Sequence, residues 1–266
     1  MLIIKVGGGK TINWEYIAQD LVSIAKKEKV VLIHGANAKR DEIALQMGHA
    51  TKTIVSPSGI SSVYTDERAM DIFLMSYAGL TNKRIVGLLQ KKRINAIGLS
   101  GIDGRLWEGK RKEHVYAIEN GKTRLIKDNL TGRVEKINNS LMNLLINNHY
   151  VPVICPPAIS FDSDIVNVDG DAATIQTVVN LKAKKVVFLF EMPGLLEKYP
   201  DEKTLIKKIE KNDIDDYVHF AEGRMKKKIL GVKKAFEMGI KKIYFGDGRV
   251  KNPITNCLRG KGTIIQ

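Results

Sequence analysis

The chain has 266 residues and a formal net charge of +14, a length that allows one large α/β domain or two fused lobes. Its only cysteines, Cys155 and Cys257, are too few for a disulfide framework or a zinc cluster, which argues against redox and metal-thiolate chemistry. No apolar run approaches the roughly 20 residues of a membrane span, and residues 1–6 are typical of a strand and not of a signal peptide. We therefore expect a cytoplasmic protein that does not bind membranes.

The positive charge favours acidic partners, which include nucleotides, nucleic acid, an anionic membrane and an acidic protein. Composition does not choose among them, and a lysine-rich solvated surface is an equally good explanation. Nucleic acid is the weakest of these interpretations, because aromatic residues make up only 6% of the chain and no segment interleaves aromatic and basic residues. We expect no nucleic-acid partner.

Predicted strands and helices alternate along most of the chain. In the first hundred residues we predict strands at 2–6, 30–34 and 94–99, and four helices: one capped by Asn13, one ending near Met47, one capped by Thr65 and one capped by Thr81. The pattern continues with helices at 139–147, 171–181 and 224–238 and strands at 151–155, 186–190 and 242–245. This alternation predicts an α/β fold, a three-layer αβα sandwich in which helices cover both faces of a mainly parallel sheet. Residues 1–266 are expected to form a single domain.

Between Arg105 and Lys127 the alternation gives way to a different pattern. Residues 115–118 and 123–126 are β-rich and flank Asn120 and Gly121, a pair typical of type I′ hairpin turns. We therefore predict an inserted β-hairpin flap. Cations outnumber acidic residues around this flap, where the chain carries Arg105, Lys110, Arg111, Lys112, Lys122, Arg124 and Lys127 against Glu108, Glu113, Glu119 and Asp128.

The first strand ends in Lys5, Val6 and a run of three glycines, Gly7 to Gly9. In open α/β sheets ligands bind beyond the carboxyl ends of the strands, and glycines let a backbone approach a phosphate and present N–H groups to it. The spacing fits neither the Walker loop nor the dinucleotide fingerprint, and a tight turn is an alternative. The second strand ends in His34 and Gly35, which could form a second loop of this kind.

Two further segments place charges at the starts of predicted helices. Asn167 to Asp171 brings two carboxylates and an amide together, and an N-cap followed by an acidic first turn is the structural alternative. Residues 223–228 begin a later helix with four cations, where the helix dipole disfavours positive charge. Unless these cations form a solvated charge run, they need an anion nearby.

Taken together in this order, these segments resemble the amino-acid kinase family, and specifically its acetylglutamate-kinase branch. The matching features are Lys5 with Gly7 to Gly9, His34-Gly35, and residues 96–104, 167–171, 193–196 and 225–228. Within the branch, residues 97–106, the basic flap, residues 199–201 and residues 246–249 with Asn252-Pro253 are most similar to a subgroup of carrier-dependent enzymes. These are the kinases that act on aminoadipate or glutamate attached to an amino-group carrier protein of the LysW type.

The resemblance implies an ATP-dependent kinase that converts a side-chain carboxylate to an acyl phosphate in lysine or arginine biosynthesis. It further implies Mg²⁺ bound mainly through phosphate and water oxygens without a protein metal cage, a small acidic carrier protein as partner, and the family's homodimer. Such a carrier would account for the charge of +14. Residues 1–170 would form an acyl-substrate lobe and residues 171–266 a nucleotide lobe.

The resemblance also implies roles for individual residues. Lys5 and Lys228 would neutralise charge on the transferring phosphoryl group, and Asp171 would lie between them and hold both ammonium groups in place. The residues implied to bind phosphate through their N–H groups are Gly7, Gly8, Gly9 and Gly35. Those implied to bind the acyl substrate are Gly35, Ala36, Val63 and Asn167.

Three departures from the family pattern lie near the substrates. Ala36 and Asn37 replace glycines, and Val63 stands where the family usually has the arginine that grips the substrate's α-carboxylate. Phe190-Glu191 replaces a small polar pair beside the nucleotide. Since the residues for phosphoryl transfer are retained, these departures point to a changed acyl substrate and not to an inactive enzyme.

If the grip on the α-carboxylate has changed, another cation must meet it, and Arg68 and Arg105 are the expected candidates. An N-acetylglutamate kinase is the alternative within the same class of enzyme. A nucleotide-binding regulator without turnover is an alternative from a different class. The sequence leaves glutamate and aminoadipate open, because one methylene changes specificity by only about 1 to 3 kcal/mol.

Overall fold

A computed structural model describes residues 1–119, 121–220 and 223–266, with the backbone alone for residues 223, 224, 226 and 227. The strands in this part of the chain are β1 (Leu2–Val6), β2 (Val30–His34), β3 (Thr53–Val55), β4 (Ser61–Val63), β5 (Ala96–Ser100), β6 (Trp107–Arg111), β7 (Val115–Glu119), β8 (Lys122–Ile126), β9 (Thr131–Ile137), β10 (Val151–Cys155), β11 (Ala158–Ser160), β12 (Ile165–Val168), β13 (Lys185–Phe190), β14 (Lys208–Ile209), β15 (Ile243–Asp247) and β16 (Thr263–Ile265). Its α-helices are α1 (Trp14–Ala25), α2 (Asn37–Gln46), α3 (Glu67–Leu74), α4 (Asn82–Lys91), α5 (Asn139–Asn147), α6 (Gly170–Asn180), α7 (Gly223–Glu237) and α8 (Pro253–Leu258).

The main sheet has eight strands in the order β14-β16-β15-β13-β1-β2-β10-β5. Neighbouring strands run parallel except for β15 and β16, which are antiparallel. Strands β1, β2, β5 and β10 come from the N-terminal part of the chain, and the other four come from residues after 171. The two parts therefore share one sheet and meet where β1 pairs with β13.

Helices cover both faces of this sheet, and the alternation of side chains along β1 explains why. Ile3 packs into one core together with α5, α6 and α7, whereas Leu2 and Ile4 pack into the other with α1, α4 and α8. The predicted αβα sandwich around a mainly parallel sheet is confirmed. Because Lys5 is two residues after Ile3, it shares the face that α6 and α7 cover.

The insert is larger than the predicted hairpin. Strands β6, β9, β11 and β12 close into a small barrel in the order β11-β12-β9-β6. Trp107 on β6 is fully buried, and its Nε1 donates a hydrogen bond to Thr177 Oγ1 on α6 at 3.1 Å. The barrel is thereby fixed to the helix that carries Asp171.

The predicted flap itself is confirmed as the antiparallel pair β7 and β8. Their register joins Val115 to Ile126 and Glu119 to Lys122. Gly121 follows in the turn with φ of 72°, a left-handed conformation that glycine adopts without strain. Asn120, the other residue of the predicted turn, lies outside the described residues.

The predicted caps of the third and fourth helices are wrong. Asp66 caps α3, because its side chain accepts a hydrogen bond from Ala69 N at 2.8 Å, while Thr65 N donates to Asn129 Oδ1 at 2.9 Å. No cap separates α3 from α4, since the π-helical segment Met75–Thr81 joins them and Thr81 has helical backbone angles. The chain therefore forms one long helical element here, not two.

Two findings bear on the predictions from composition. In the part of the chain that the structure describes, no helix is both long and apolar enough to cross a membrane. Cys155 and Cys257 are buried free thiols, and burial raises the pKa of each well above its usual range. Both therefore serve as small packing residues, as predicted for Cys155, because a protonated thiol is a poor nucleophile.

Candidate active site

Lys5, Asp171 and Lys228 meet at the carboxyl end of the central strand. Lys5 Nζ lies 3.2 Å from Asp171 Oδ1, and Lys228 Nζ contacts Asp171 Oδ2. Lys5 comes from β1, Asp171 from the first turn of α6 and Lys228 from α7, so three separate elements of one face supply the cluster. A Cβ at Gly170 would lie 3.2 Å from Lys5 Cε, which explains why a glycine precedes Asp171.

The electrostatics of this cluster favour its charged form. Burial by itself would raise the pKa of the Asp171 carboxyl, but the ammonium groups of Lys228 and Lys5 outweigh burial and hold that pKa well below its usual range. Asp171 is therefore ionised at neutral pH. With two ammonium groups around one carboxylate, the cluster keeps an excess of positive charge, which suits the binding of an anion.

The four cations at the start of α7 were predicted to need an anion nearby. Lys228 reaches Asp171, so this carboxylate supplies an anion for one of the four cations at the start of α7. Lys228 Nζ also lies 5.4 Å from the centroid of the Phe190 ring, a favourable cation–π distance. The side chains of Arg224, Lys226 and Lys227 lie outside the described part of the structure.

The two glycine-containing loops touch each other through their backbones. A Cβ at Gly8 would lie 2.3 Å from Asn37 N and 2.4 Å from Ala36 N, and a Cβ at Gly35 would lie 2.9 Å from Gly8 N. Side chains at these two positions would force the loops apart. Glycine is required here because of close backbone approach, as in other phosphate-binding loops.

The donors that these loops can offer differ from the prediction. Gly7 N already donates to Leu189 O at 2.8 Å and Gly35 N to Val6 O at 2.9 Å, because the strand ladders extend one residue beyond β1 and β2. Among the described residues, the N–H groups that face no protein acceptor in these loops are those of Gly8, Gly9 and Asn37, while the N–H of Ala36 donates to the Tyr77 hydroxyl. The substitution of glycine by Ala36 and Asn37 thus leaves one unused donor, the N–H of Asn37, at the start of α2.

Glu191 covers the first glycine loop. Its Oε1 accepts hydrogen bonds from Thr11 N and Thr11 Oγ1, each at 2.7 Å. A Cβ at Gly9 would lie 1.9 Å from a Glu191 carboxylate oxygen. The departure from the family pattern at position 191 therefore acts on the loop that would hold phosphate.

His34 is a buried structural residue beneath the second loop. Its Nδ1 lies 3.2 Å from Gly35 O and its Nε2 lies 3.1 Å from Asn82 Nδ2. Burial lowers the pKa of His34 to about 4. The bond to Gly35 O opposes this shift, and the charge of Lys5 adds to it. The ring is neutral at neutral pH, so it can donate from Nδ1 and accept at Nε2, and both ring nitrogens are satisfied.

Asn167 and Val63, which sequence reasoning assigned to the acyl substrate, belong to one hydrogen-bonded group. Asn167 Nδ2 donates to Thr65 Oγ1 at 3.0 Å, and Thr65 Oγ1 donates to Val63 O at 3.3 Å. Asp169 caps α6 through bonds from Asp171 N and Ala172 N at 2.9 and 3.0 Å. Of the two carboxylates in residues 167–171, Asp169 is therefore the N-cap of α6, whereas Asp171 belongs to the charge cluster.

The two arginines expected to replace the missing substrate grip are engaged elsewhere. Arg68 is exposed, and its Nη2 donates to Met47 O at 2.9 Å. Every nitrogen of the Arg105 guanidinium donates to a protein oxygen, and the acceptors are Glu108 Oε1, Ser160 O, Phe161 O and Ser163 Oγ. Arg105 is therefore not free to meet a substrate carboxylate in this conformation, whereas Nε and Nη1 of Arg68 have no protein acceptor among the described residues.

A cleft of about 620 Å³ opens in the C-terminal part of the chain. Its apolar wall includes Leu205, Ile206, Tyr217 and Phe220. The segment Lys211–Phe220 that forms part of this wall packs against α7, the helix that carries Lys228. The cleft is therefore linked to the charge cluster by a single helix.

Comparisons with known proteins agree with this geometry. A model of the amino acid kinase family matches residues 1–247. A LysW-aminoadipate kinase from Thermus thermophilus is 42% identical over 269 residues, which cover 100% of both chains. A putative LysW-aminoadipate/LysW-glutamate kinase from Nitrosopumilus maritimus is 36% identical over 97% of this chain and 96% of its own. The solved structure of carbamate kinase from Giardia lamblia bound to AMP-PNP shares the fold with a TM-score of 0.68 at 18% identity, covering 99% of this chain and 97% of that one.

A parallel αβα sandwich with a lysine–aspartate–lysine cluster beside two glycine loops defines a phosphoryl-transferring class of protein. The chain belongs to the amino acid kinase family. It is a kinase, and membership of this family implies that it uses ATP.

Proposed function

We propose that the protein phosphorylates the side-chain carboxylate of 2-aminoadipate or glutamate linked to an acidic amino-group carrier protein. The product would be an acyl phosphate for lysine or arginine biosynthesis. The observation that carries this proposal is the Lys5–Asp171–Lys228 cluster beside the glycine loops. The Thermus thermophilus relative, which matches over its full length, is named a LysW-aminoadipate kinase, which makes aminoadipate the first substrate to test.

In the proposed reaction, a carboxylate oxygen of the substrate attacks the γ-phosphorus of ATP. The bond from that phosphorus to the β–γ bridging oxygen breaks, and ADP leaves with the electron pair. No general base is needed because the attacking carboxyl group is already ionised at neutral pH. Catalysis then consists of alignment and stabilisation of charge on the transferred group, which we assign to Lys5 and Lys228 with Asp171 as the group that orients them.

Phosphate binding is assigned to both loops, in two different ways. Gly8 and Gly9 would donate N–H hydrogen bonds, as would Asn37 at the start of α2, where the helix dipole favours an anion. Gly7 and Gly35 would contribute through the absence of a side chain, since their N–H groups are engaged in the sheet.

We assign the nucleoside end of ATP to the C-terminal lobe, and the metal ion to the phosphates. The lobe of residues 171–266 would hold the nucleotide, with the 620 Å³ cleft beside α7 as the site of the nucleoside. Both oxygens of Asp171 are engaged by lysines, so this carboxylate does not fit a magnesium ligand. Mg²⁺ would instead be bound through phosphate and water oxygens, which satisfies its octahedral preference and neutralises phosphate charge.

Residues 1–170 would form the acyl-substrate lobe. Asn167, which Thr65 orients, would hold the substrate beside the glycine loops. The carrier would dock on the basic flap, where Lys110, Lys112 and Lys122 are exposed. The charge of Arg111 is already balanced by Asp164 at 3.2 Å and that of Arg124 by Glu119 at 2.9 Å. We also propose that the enzyme is a cytoplasmic homodimer, which sedimentation equilibrium would test.

The test is to measure ATP turnover with purified carrier bearing aminoadipate or glutamate, with the unmodified carrier, and with N-acetylglutamate. Trapping the product with hydroxylamine identifies an acyl phosphate. We expect turnover on the carrier-linked amino acids, little on N-acetylglutamate and none on the bare carrier. Equal efficiency on small and carrier-linked substrates would identify an N-acetylglutamate kinase instead, and the absence of turnover on every substrate would favour a non-catalytic regulator.

A further inference from the structure

A narrow cavity of about 20 Å³ lies between α2, α3 and the β3–β4 hairpin. Arg40 and Val63 line this cavity together. Its volume is enough for about one water molecule. The side chain of Val63 is apolar, whereas that of Arg40 carries a guanidinium group. The cavity is therefore bordered both by Val63, where the family usually has an arginine, and by an arginine of α2.

We propose that Arg40 binds the α-carboxylate of the acyl substrate, in place of the arginine that Val63 has replaced. The proposal rests on the proposed function, because it presumes an amino acid that is linked through its nitrogen and keeps its α-carboxylate. A planar guanidinium is the protein group best matched to a carboxylate, since it offers a fork of parallel N–H donors.

The hydrogen bonds of Arg40 leave one arm of the guanidinium available. Nε and Nη2 both donate to a single oxygen, Asp41 Oδ1, at 3.0 and 2.7 Å. The same oxygen also accepts a bond from Thr51 Oγ1 at 2.7 Å. Among the described residues, Nη1 of Arg40 meets no acceptor. The side chain as a whole is only 8% exposed, but Nη1 is not one of its buried atoms, so a ligand that arrives from solvent can reach it.

Arg40 also has the right neighbours for a substrate site. Its backbone N–H bonds to Ala36 O at 2.9 Å, which places it one turn into the helix that starts at the second glycine loop. The cavity wall includes Thr65, whose hydroxyl accepts the bond from Asn167. The guanidinium is therefore located between the loops assigned to phosphate and the residue assigned to the acyl substrate.

A histidine and a lysine also line the cavity, and both are weaker candidates. His49 Nε2 is 3.1 Å from Asp66 Oδ1, so it already has a carboxylate partner. Lys52 is exposed and offers a flexible, strongly hydrated ammonium group in place of a buried fork. Lys52 is the competitor that the experiment must separate from Arg40.

The first experiment measures steady-state kinetics of Arg40→Gln on the carrier-linked substrate. Because a hydrogen bond to a charged group is lost, we expect KM to rise about ten- to hundredfold while kcat changes less than about threefold. Arg68→Gln and Lys52→Gln are the matched controls, with KM expected within about twofold of wild type. An unchanged KM for Arg40→Gln, or a larger effect of Lys52→Gln, would overturn the assignment.

The second experiment moves the guanidinium back. If both positions serve the same carboxylate, adding Val63→Arg to Arg40→Gln should lower KM at least about tenfold from the value of Arg40→Gln alone. A substrate whose α-carboxylate is converted to a primary amide should bind wild-type enzyme poorly but lose nothing further with Arg40→Gln. Equal losses with both enzymes would contradict the contact. If Arg40→Gln does not fold, Arg40→Lys keeps the charge, removes the fork and is tested in the same way.

Failure of the proposed function is distinguishable from failure of this inference. Wild-type turnover on the carrier-linked substrate is measured first, and its absence rejects the proposed function. N-Acetylglutamate carries the same α-carboxylate, so its binding to wild-type and Arg40→Gln protein, measured by calorimetry, then decides the role of Arg40 alone. Equal affinities would reject the assignment, and weaker binding to the variant would support it.

Discussion

The proposed phosphoryl-transfer centre and the proposed acyl-substrate end are supported by the fold in different ways. Lys5 extends from the central strand of the main sheet, and Asp171 and Lys228 come from helices that pack on the same face of that sheet. Val63 and Asn167 lie instead on short strands outside the main sheet, and the Val63 strand pairs only with β3. If the proposed roles hold, chemistry is placed on the main sheet and specificity on peripheral segments, which can change without disturbing the core.

The strongest test of this comparison is to remove one charge from the central cluster. We expect Lys228→Ala to lower kcat by about 30- to 1000-fold, which corresponds to roughly 2 to 4 kcal/mol, because a preorganised group that stabilises transition-state charge is lost. Lys5→Ala should behave similarly. Steady-state kinetics at saturating ATP and acyl substrate measures the effect, with circular dichroism to verify the fold.

The matched control is Lys233→Ala, on the same helix as Lys228. Lys233 is exposed and its ammonium group pairs with Asp215 Oδ2 at 2.6 Å, so it is expected to leave turnover unchanged. Retention of more than about a tenth of wild-type turnover by Lys228→Ala would be incompatible with the catalytic assignment. Equal losses in both variants would indicate damage to α7 instead.

A second test concerns the stability of the buried centre and uses His34. Its pKa is about 4 in the folded chain against 6.5 in an unfolded one, so between these values the unfolded state binds a proton that the folded state does not. Stability therefore rises with pH across this window and is lost as pH falls. We expect the free energy of unfolding to drop by about 2 kcal/mol between pH 7 and pH 5 from this group alone.

Urea unfolding of wild type and His34→Gln at both pH values isolates that contribution, because the other four histidines are common to the two proteins. The variant should show a shallower pH dependence by about 2 kcal/mol. Asp171 does not interfere, since its depressed pKa confines its own loss of stability to lower pH. Parallel pH dependences would contradict the buried neutral state of His34.

Sequence patterns predicted the main sheet and its helices because these elements have strong apolar periodicity. They missed the small barrel, since β11 and β12 have three and four residues and pair with distant segments. The cap of α3 was misassigned because Thr65 and Asp66 are adjacent and both residue types cap helices. The choice between them depends on Asn129, which takes the N–H of Thr65 and comes from another part of the chain.

The candidate site shows the same division. Lys5, Asp171 and Lys228 follow from strand ends, helix starts and the family resemblance, and the structure brings them into contact. The backbone N–H groups that are free to bind phosphate could not be predicted, because they depend on how far the hydrogen bonds of the sheet extend past β1 and β2. Arg40 did have a signal in the sequence. It is a cation at the start of a helix, the same pattern that drew attention to residues 223–228, but only the structure shows that it lines a cavity together with Val63.

The smallest expected effect belongs to the outermost part of the acyl end, where charge would guide the carrier. An exposed basic surface mainly speeds and orients association with an acidic partner, and salt screens this attraction. We expect kcat/KM on the carrier-linked substrate to fall about tenfold as ionic strength rises from about 0.02 to 0.5 M, with kcat nearly constant. N-Acetylglutamate, a small substrate, should show a much flatter dependence.

Charge reversal assigns that salt dependence to a surface. The residues to change to glutamate together are Lys110, Lys112 and Lys122, which are exposed, whereas Arg111 is left intact because it pairs with Asp164. The control changes Lys27, Lys184 and Lys241 to glutamate. These lysines are exposed and lie just before β2, β13 and β15, at the amino ends of parallel strands and so opposite to the glycine loops. Both triple variants change the net charge equally.

If the flap receives the carrier, only the flap variant loses efficiency and salt sensitivity on the carrier-linked substrate, because local charge sets the encounter. Equal losses in both variants would mean that net charge alone attracts the carrier, and no loss in either would remove the flap from the docking surface.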